Sequence, residues 1–120
     1  MDFRFMNLDI WKDAIALNDE FYDLAETIEK SKSFRFAEQM RGASLSISNN
    51  IAEGSGSFSD KDFANFLNIA RRSTFETANL SCVAFNRKYI NQKELTEKLN
   101  RLDSLSRRIT NFRKKLVNNE

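Results

Sequence analysis

The feature that most constrains the fold of this chain is the scarcity of residues that turn or break helices. Among its 120 residues there is no proline, and glycine stands only at positions 42, 54 and 56. Proline and glycine mark most tight turns, so their near absence permits long uninterrupted helices. Apolar residues recur at the three- and four-residue spacing of a helix face in four separate segments. Four amphipathic helices are therefore predicted.

Signals at the helix ends place their boundaries. The third helix is predicted to begin at Ser59, with Phe58 and Phe63 as a hydrophobic staple. A capping box of Asn91 and Glu94, with Ile90 and Leu95 as its staple, is predicted to begin the fourth. Gly54 is expected to adopt a left-handed conformation that ends the second helix. The predicted helices span about residues 8–30, 34–53, 60–88 and 92–117.

The connections between these helices are short, which favours antiparallel neighbours. The predicted fold class is all-α, an antiparallel up-down-up-down four-helix bundle. A chain of 120 residues has room for one core. Residues 1–120 are accordingly expected to form a single domain.

Charge is distributed unevenly along the chain. The net charge is +2, yet residues 1–60 carry −5 and residues 61–120 carry +7. Two explanations stay open. The first and last helices could attract one another across an interface, or the basic half could face a polyanion such as nucleic acid.

Several chemistries are excluded by composition. Histidine is absent and Cys82 is the only cysteine, so an intramolecular disulfide is excluded and the usual zinc and iron-sulfur ligand sets are missing. Cys82 lies in an apolar run and is expected to be a small buried residue. No metal site and no cofactor site are predicted.

A stripe of small and polar residues runs along the second helix. Its members recur at three- and four-residue steps, and a polar group buried there would need a partner on the third helix. The preferred interpretation is a helix-helix seam, and the alternative is a binding patch near the end of the second helix. The predicted seam consists of Gln39, Ser46, Asn50 and Glu53 on the second helix, with Arg71, Ser73 and Glu76 on the third.

Catalysis is not predicted. Glu53 and Glu76 could be cast as an acid-base pair, but no nucleophile or metal set accompanies them, and structural ion pairing is preferred. The serines lack a histidine or an activated lysine as base. No catalytic residue is assigned, and the protein is predicted to be non-enzymatic.

The fourth helix is strongly basic. Three of its cations have acidic residues at i−4, as in Glu94 to Lys98, Glu97 to Arg101 and Asp103 to Arg107. The other cations there and at the preceding turn are predicted to be unpaired and to bind the backbone of RNA or DNA. The alternative is a solvated helix end whose cations complement the helix dipole. The predicted nucleic-acid-binding residues are Arg87, Lys88, Arg108, Arg113, Lys114 and Lys115. No aromatic residue is interleaved with them, which argues against base stacking.

Three motifs bear a resemblance to a known family. They are Leu8 to Ala14 with Trp11, the segment Gln39-Met40-Arg41 followed by S-I-S-N-N-I-A-E-G at 46–54, and Phe63 to Glu76 on the third helix. Together they resemble a bacterial four-helix-bundle family. It includes proteins encoded by intervening sequences in large-subunit ribosomal RNA genes and the accessory variability protein of diversity-generating retroelements. This chain departs from the family pattern at Gly42, where a second basic residue is usual, and at Ser48, where proline is frequent.

The resemblance implies a homopentamer arranged as a barrel, and for the retroelement relatives an association with reverse transcriptase and nucleic acid. The predicted function is a non-enzymatic oligomeric scaffold that binds RNA or DNA through basic surfaces. The alternative is a protein-protein interaction module, for example an accessory subunit of a partner enzyme.

No membrane association is predicted, because the longest uncharged stretch, residues 42–52, is far shorter than the ~20 apolar residues of a membrane-spanning helix. The N-terminus lacks the pattern of a secretion signal, so a cytoplasmic location is expected.

Overall fold

Four long helices make up most of the described part of the chain. A computed structural model describes residues 2–118. A short 3₁₀ turn at Arg4–Asn7 is followed by α1 (Asp9–Lys30), α2 (Phe34–Ser55), α3 (Asp60–Asn86) and α4 (Gln92–Asn118). The bundle measures 48 × 26 × 21 Å. The predicted all-α four-helix bundle is confirmed.

The core runs the length of the bundle and receives apolar side chains from every helix. Phe21 of α1, Ile47 of α2, Leu67 of α3 and Ile109 of α4 are all inaccessible to solvent. Each matches an apolar position at helical spacing, because burying one apolar stripe per helix is what stabilises such a bundle. No helix in residues 2–118 contains a stretch long and apolar enough to cross a membrane.

Ion pairs join α1 to α4. The Arg101 guanidinium contacts Asp13 and Glu20, and the Arg108 guanidinium also contacts Asp13. The Lys98 ammonium lies 5.6 Å from the centre of the Phe21 ring. The acidic first helix and basic fourth helix therefore attract one another within a single chain.

The predicted N-terminal caps of α3 and α4 are present. The Ser59 hydroxyl accepts a hydrogen bond from the Asp62 amide at 3.1 Å. At the start of α4, the Glu94 amide donates to Asn91 and the Asn91 amide donates to Glu94, which is the reciprocal capping box. The predicted staple before α3 is wrong, since Phe58 is fully exposed and packs on nothing.

Gly54 does not end the second helix. No glycine in residues 2–118 has a positive φ, and α2 continues to Ser55 with Gly56 as its cap at φ −89°. Gly54 is buried at a close contact between α2 and α3. A Cβ built at this position would lie 2.6 Å from the Phe66 Cβ and 2.8 Å from the Phe63 Cδ1. The glycine is thus required for close packing and not for a turn.

Two lysines, in turns for which no left-handed residue was predicted, have a left-handed backbone conformation. Lys32 has φ 69° in the α1–α2 turn, and Lys88 has φ 68° in the α3–α4 turn. These two turns lie side by side. The Tyr89 hydroxyl of the α3–α4 turn is 2.5 Å from the Ser31 Oγ and 3.1 Å from the Ser33 Oγ of the α1–α2 turn. The third helix ends at Asn86, before Lys88, which was predicted to be its last residue.

Cys82 is exposed, and the prediction that it is buried is wrong. The apolar run around it wraps the whole circumference of α3, and only Leu80, Ser81 and Ala84 face inward. Cys82 therefore lies on the outer face of α3, next to the partly exposed Phe85.

Candidate nucleic-acid interface

The six predicted nucleic-acid-binding residues lie at opposite ends of the bundle. Arg87 and Lys88 belong to the α3–α4 turn, whereas Arg108, Arg113, Lys114 and Lys115 lie on the last three turns of α4. At a rise of 1.5 Å per residue, the helix between Gln92 and Lys114 spans about 33 Å. The six residues therefore do not form one patch.

Two of the six have partners inside the chain, contrary to the prediction that they are unpaired. Arg108 contacts Asp13, and the Arg113 Nε donates a hydrogen bond to the Ala64 carbonyl at 3.1 Å. The prediction considered acidic residues only one helical turn away, and Asp13 is 95 residues distant in sequence. Lys114 and Lys115 are exposed.

Of the three predicted pairs along α4, Asp103 with Arg107 is present at 3.0 Å. Arg101 instead reaches across to Glu20 and Asp13 on α1, and Lys98 lies over the Phe21 ring. Lys98 and Arg101 of α4 thus contact α1 within the same chain.

A second and more concentrated set of cations surrounds the two adjacent turns. We call this region the basic end, comprising residues 28–38 and 85–95. Six exposed cations and three carboxylates lie in it, and within the described part of the chain none of the six forms an ion pair. The cations are Lys30, Lys32, Arg35, Arg87, Lys88 and Lys93.

The three carboxylates of the basic end are engaged elsewhere. Glu29 and Glu38 contact the Arg41 guanidinium at 2.7 and 2.8 Å, and the hydrogen bond that Arg41 donates to Glu29 is the main cause of a raised pKa at Arg41. Glu94 caps α4. Hydrogen bonds with Ser31 and Ser33, together with the nearby Arg87 charge, lower the pKa of the Tyr89 phenol. Within residues 28–38 and 85–95, cations therefore outnumber carboxylates six to three.

Aromatic side chains accompany these cations. Phe34, the first residue of α2, is 58% exposed, and Phe85, in the last turn of α3, is 36% exposed. Beside the α3–α4 turn, Phe85, Lys88, Tyr89 and Asn91 line an open groove of about 430 Å³. The expectation that no aromatic residue accompanies the cations is thus wrong at the basic end.

Three of the seven predicted seam residues are brought together. The Ser73 hydroxyl donates to the Ser46 Oγ at 2.9 Å, and the Asn50 amide donates to the Ser46 Oγ at 3.0 Å and to its carbonyl at 2.8 Å. This network joins α2 to α3. The small polar side chains there form hydrogen bonds with one another, as the seam interpretation requires.

The other four seam residues lie outside this network. Gln39, Glu53 and Glu76 are exposed, and among residues 2–118 neither glutamate forms an ion pair. The Arg71 guanidinium lies 4.8 Å from the centre of the Phe75 ring, on the side of α3 away from the seam. The structural ion pairing preferred for Glu53 and Glu76 is wrong for residues 2–118, because both side chains are exposed to solvent, where their carboxylates need no partner.

Fold and surface together define a small helical-bundle protein with a polar α2–α3 seam and a basic end. Residues 6–111 match the family model described as 23S rRNA-intervening sequence protein. The chain belongs to this family.

A solved structure shares the fold. It is that of a protein with unknown function from the S23 ribosomal protein family of Bacteroides thetaiotaomicron, with a TM-score of 0.81 and 22% sequence identity. The superposition covers 88% of this chain and 98% of the other. None of the curated proteins compared with the chain matches it. Neither match bears on the relation to diversity-generating retroelements, which stays a prediction.

Proposed function

We propose that the protein is a non-catalytic oligomeric scaffold that binds nucleic acid through its basic end. The observation that carries this proposal is the group of six exposed cations without an ion-pair partner in residues 2–118, set against three carboxylates that are already engaged. Lysine and arginine side chains that neutralise phosphates release condensed counterions, which drives binding regardless of sequence. The family's description names 23S rRNA intervening sequences, which makes RNA the first ligand to test.

A homopentamer is the proposed assembly, motivated by the family resemblance. Exposed apolar side chains on the outer face of α3 support association, notably Phe75 at 57% and Ile69 at 43% exposure. The charges of α1 and α4 are a poorer candidate for the subunit contact, because Asp13, Arg101 and Arg108 are paired within the chain. A ring would present several basic ends to one strand and raise its apparent affinity.

Light scattering coupled to size exclusion tests the assembly. A pentamer of 14.0 kDa chains has a mass of about 70 kDa. A mass of 14.0 kDa at micromolar concentration and physiological salt would exclude it.

Salt-dependent RNA binding tests the ligand. Fluorescence anisotropy of a labelled single strand of about 12 nucleotides is measured from about 50 to 300 mM salt. The basic-end variant carries Arg87→Gln, Lys88→Asn and Lys93→Gln, where asparagine tolerates the left-handed backbone of position 88. Its matched control carries Lys61→Gln, Lys114→Gln and Lys115→Gln at the opposite end, so that both variants lose the same charge.

The basic-end variant is expected to weaken binding and to reduce the log-log salt slope by up to about 2, at about 0.7 per phosphate. The control is expected to change the slope less. A control that lost binding while the basic-end variant kept it would move the interface to the end of α4. No RNA binding by the parent protein at low salt would refute the proposed function.

A protein-interaction module is the second candidate, and one surface favours it. Between α3 and α4 lies a largely apolar groove of about 240 Å³, lined by Phe75, Ala78, Leu99 and Leu102. Such a surface suits a partner's apolar side chain. Failure of the RNA experiment would leave this function as the better explanation.

A further inference from the structure

The groove beside the α3–α4 turn combines an aromatic wall with fixed geometry. Phe85 projects from the last turn of α3, and Tyr89 is held by its hydroxyl contacts with Ser31 and Ser33. Ile90 is buried beneath the turn at 6% exposure. The groove is therefore anchored by both turns and does not depend on a mobile loop.

Charge and hydrogen-bonding groups surround this aromatic wall. Lys88 lines the groove and Arg87 precedes it, and both are exposed without an ion-pair partner in residues 2–118. Asn86 and Asn91 also line the groove, as does Glu94, whose carboxylate accepts a hydrogen bond from the Asn91 backbone amide. An aromatic face, amide groups and unpaired cations in one concave site match the π face, polar edge and phosphate of a nucleotide.

We propose that this groove holds an unpaired base of single-stranded RNA, stacked on Phe85, with the neighbouring phosphates at Arg87 and Lys88. This inference rests on the proposed nucleic-acid function and assigns its substrate class. A base inside a duplex is covered on both faces by its neighbours, so it cannot stack on a side chain without leaving the helix. The protein therefore selects single strands over duplexes of the same sequence.

Phe34 lies at the other turn of the basic end. It begins α2 next to the α1–α2 turn, and it lies between Lys32 and Arg35 in sequence. Its 58% exposure and its position beside the second turn make it a platform for a further base along the strand. A purely apolar partner would not require six unpaired cations around these two rings.

The test compares two matched substitutions. Phe85→Leu keeps an apolar side chain in the groove and removes the aromatic ring. Phe58→Leu makes the same change at a fully exposed site between α2 and α3, at the end of the bundle away from the groove. RNA affinity is measured by anisotropy with a labelled single strand, and an unlabelled duplex of the same sequence serves as competitor. Light scattering reports the assembly of each variant.

Phe85→Leu is expected to weaken single-strand binding by about five- to a hundredfold, the usual range for losing one stacked base. Its salt slope should match that of the parent, because no charge is removed. Phe58→Leu should bind as the parent does, and the duplex should compete more weakly than the single strand.

Three results would overturn the inference. They are equal binding by Phe85→Leu and the parent, equal competition by duplex and single strand, or loss of assembly in Phe85→Leu, which would make Phe85 a subunit contact. If the parent still bound RNA with a steep salt slope, the proposed function would stand without the stacking groove. If the parent bound no RNA, both would fall.

Discussion

Replacing Gly54 by alanine should destabilise the protein, although alanine is the better helix former. The new Cβ would lie 2.6 Å from the Cβ of Phe66 and 2.8 Å from a ring carbon of Phe63. The Phe66 Cβ is attached directly to the backbone of α3, so it cannot yield unless the helix moves. Phe63 is only 1% exposed and has little room to turn away.

The size of the effect follows from two opposing contributions. Forcing one extra carbon into a well-packed contact costs about 1–3 kcal/mol. Alanine recovers up to about 1 kcal/mol in helix propensity, and less near a helix end. The expected net loss is about 1–2 kcal/mol in the free energy of unfolding. For a chain of this size, that corresponds to a fall in Tm of about 4 °C per kcal/mol.

Gly42→Ala is the matched control. Gly42 is exposed in the middle of the same helix, and a Cβ there would meet no atom within 4 Å. Its substitution should raise stability by about 0.5–1 kcal/mol through helix propensity alone. Urea unfolding followed by far-ultraviolet circular dichroism, at one protein concentration for all variants, measures both effects. If Gly54→Ala were stabilised as much as Gly42→Ala, the close approach of α2 and α3 at Gly54 would be refuted.

Three further substitutions probe other contacts. Asp13→Asn should lower stability by about 0.5–1 kcal/mol at low salt and by less in high salt, because its carboxylate contacts both Arg101 and Arg108; chemical unfolding at two ionic strengths measures this. Tyr89→Phe should lower the Tm, because the hydroxyl joining the two turns is lost, and an unchanged Tm in calorimetry would contradict that. Glu53→Ala should change stability by less than about 0.5 kcal/mol in urea unfolding, because the side chain is exposed. A larger loss of stability would show that Glu53 belongs to the α2–α3 seam.

Much of the fold is predictable because its signals are local. Helical spacing of apolar residues identifies the four helices, and the caps at Ser59 and Asn91 depend only on residues three positions apart. The seam contacts of Ser46 and Ser73 follow from helical spacing and the short connection between α2 and α3. These features require no knowledge of the distant parts of the chain.

The remaining features depend on contacts between distant segments or on unusual backbone choices. The pairing of Arg108 with Asp13 joins the two ends of the sequence, and a search along one helix cannot find it. The basic end consists of two turns in which a lysine has the left-handed backbone conformation. Lysine is not a residue type that marks turns in a sequence, so these turns were not predicted from it. Gly54 resembles a helix terminator in sequence, and its packing role is visible only when α3 lies against it.

Amide hydrogen exchange with and without RNA tests the nucleic-acid interface most directly. Amides in turns and in the first turn of a helix lack stable intrahelical bonds and exchange readily, so protection by a ligand is easy to detect there. Added single-stranded RNA should slow exchange in residues 31–36 and 85–94, the two turns of the basic end, and leave residues 108–118 unchanged. Protection confined to residues 108–118, or no protection in the presence of saturating RNA, would contradict a nucleic-acid interface at the basic end.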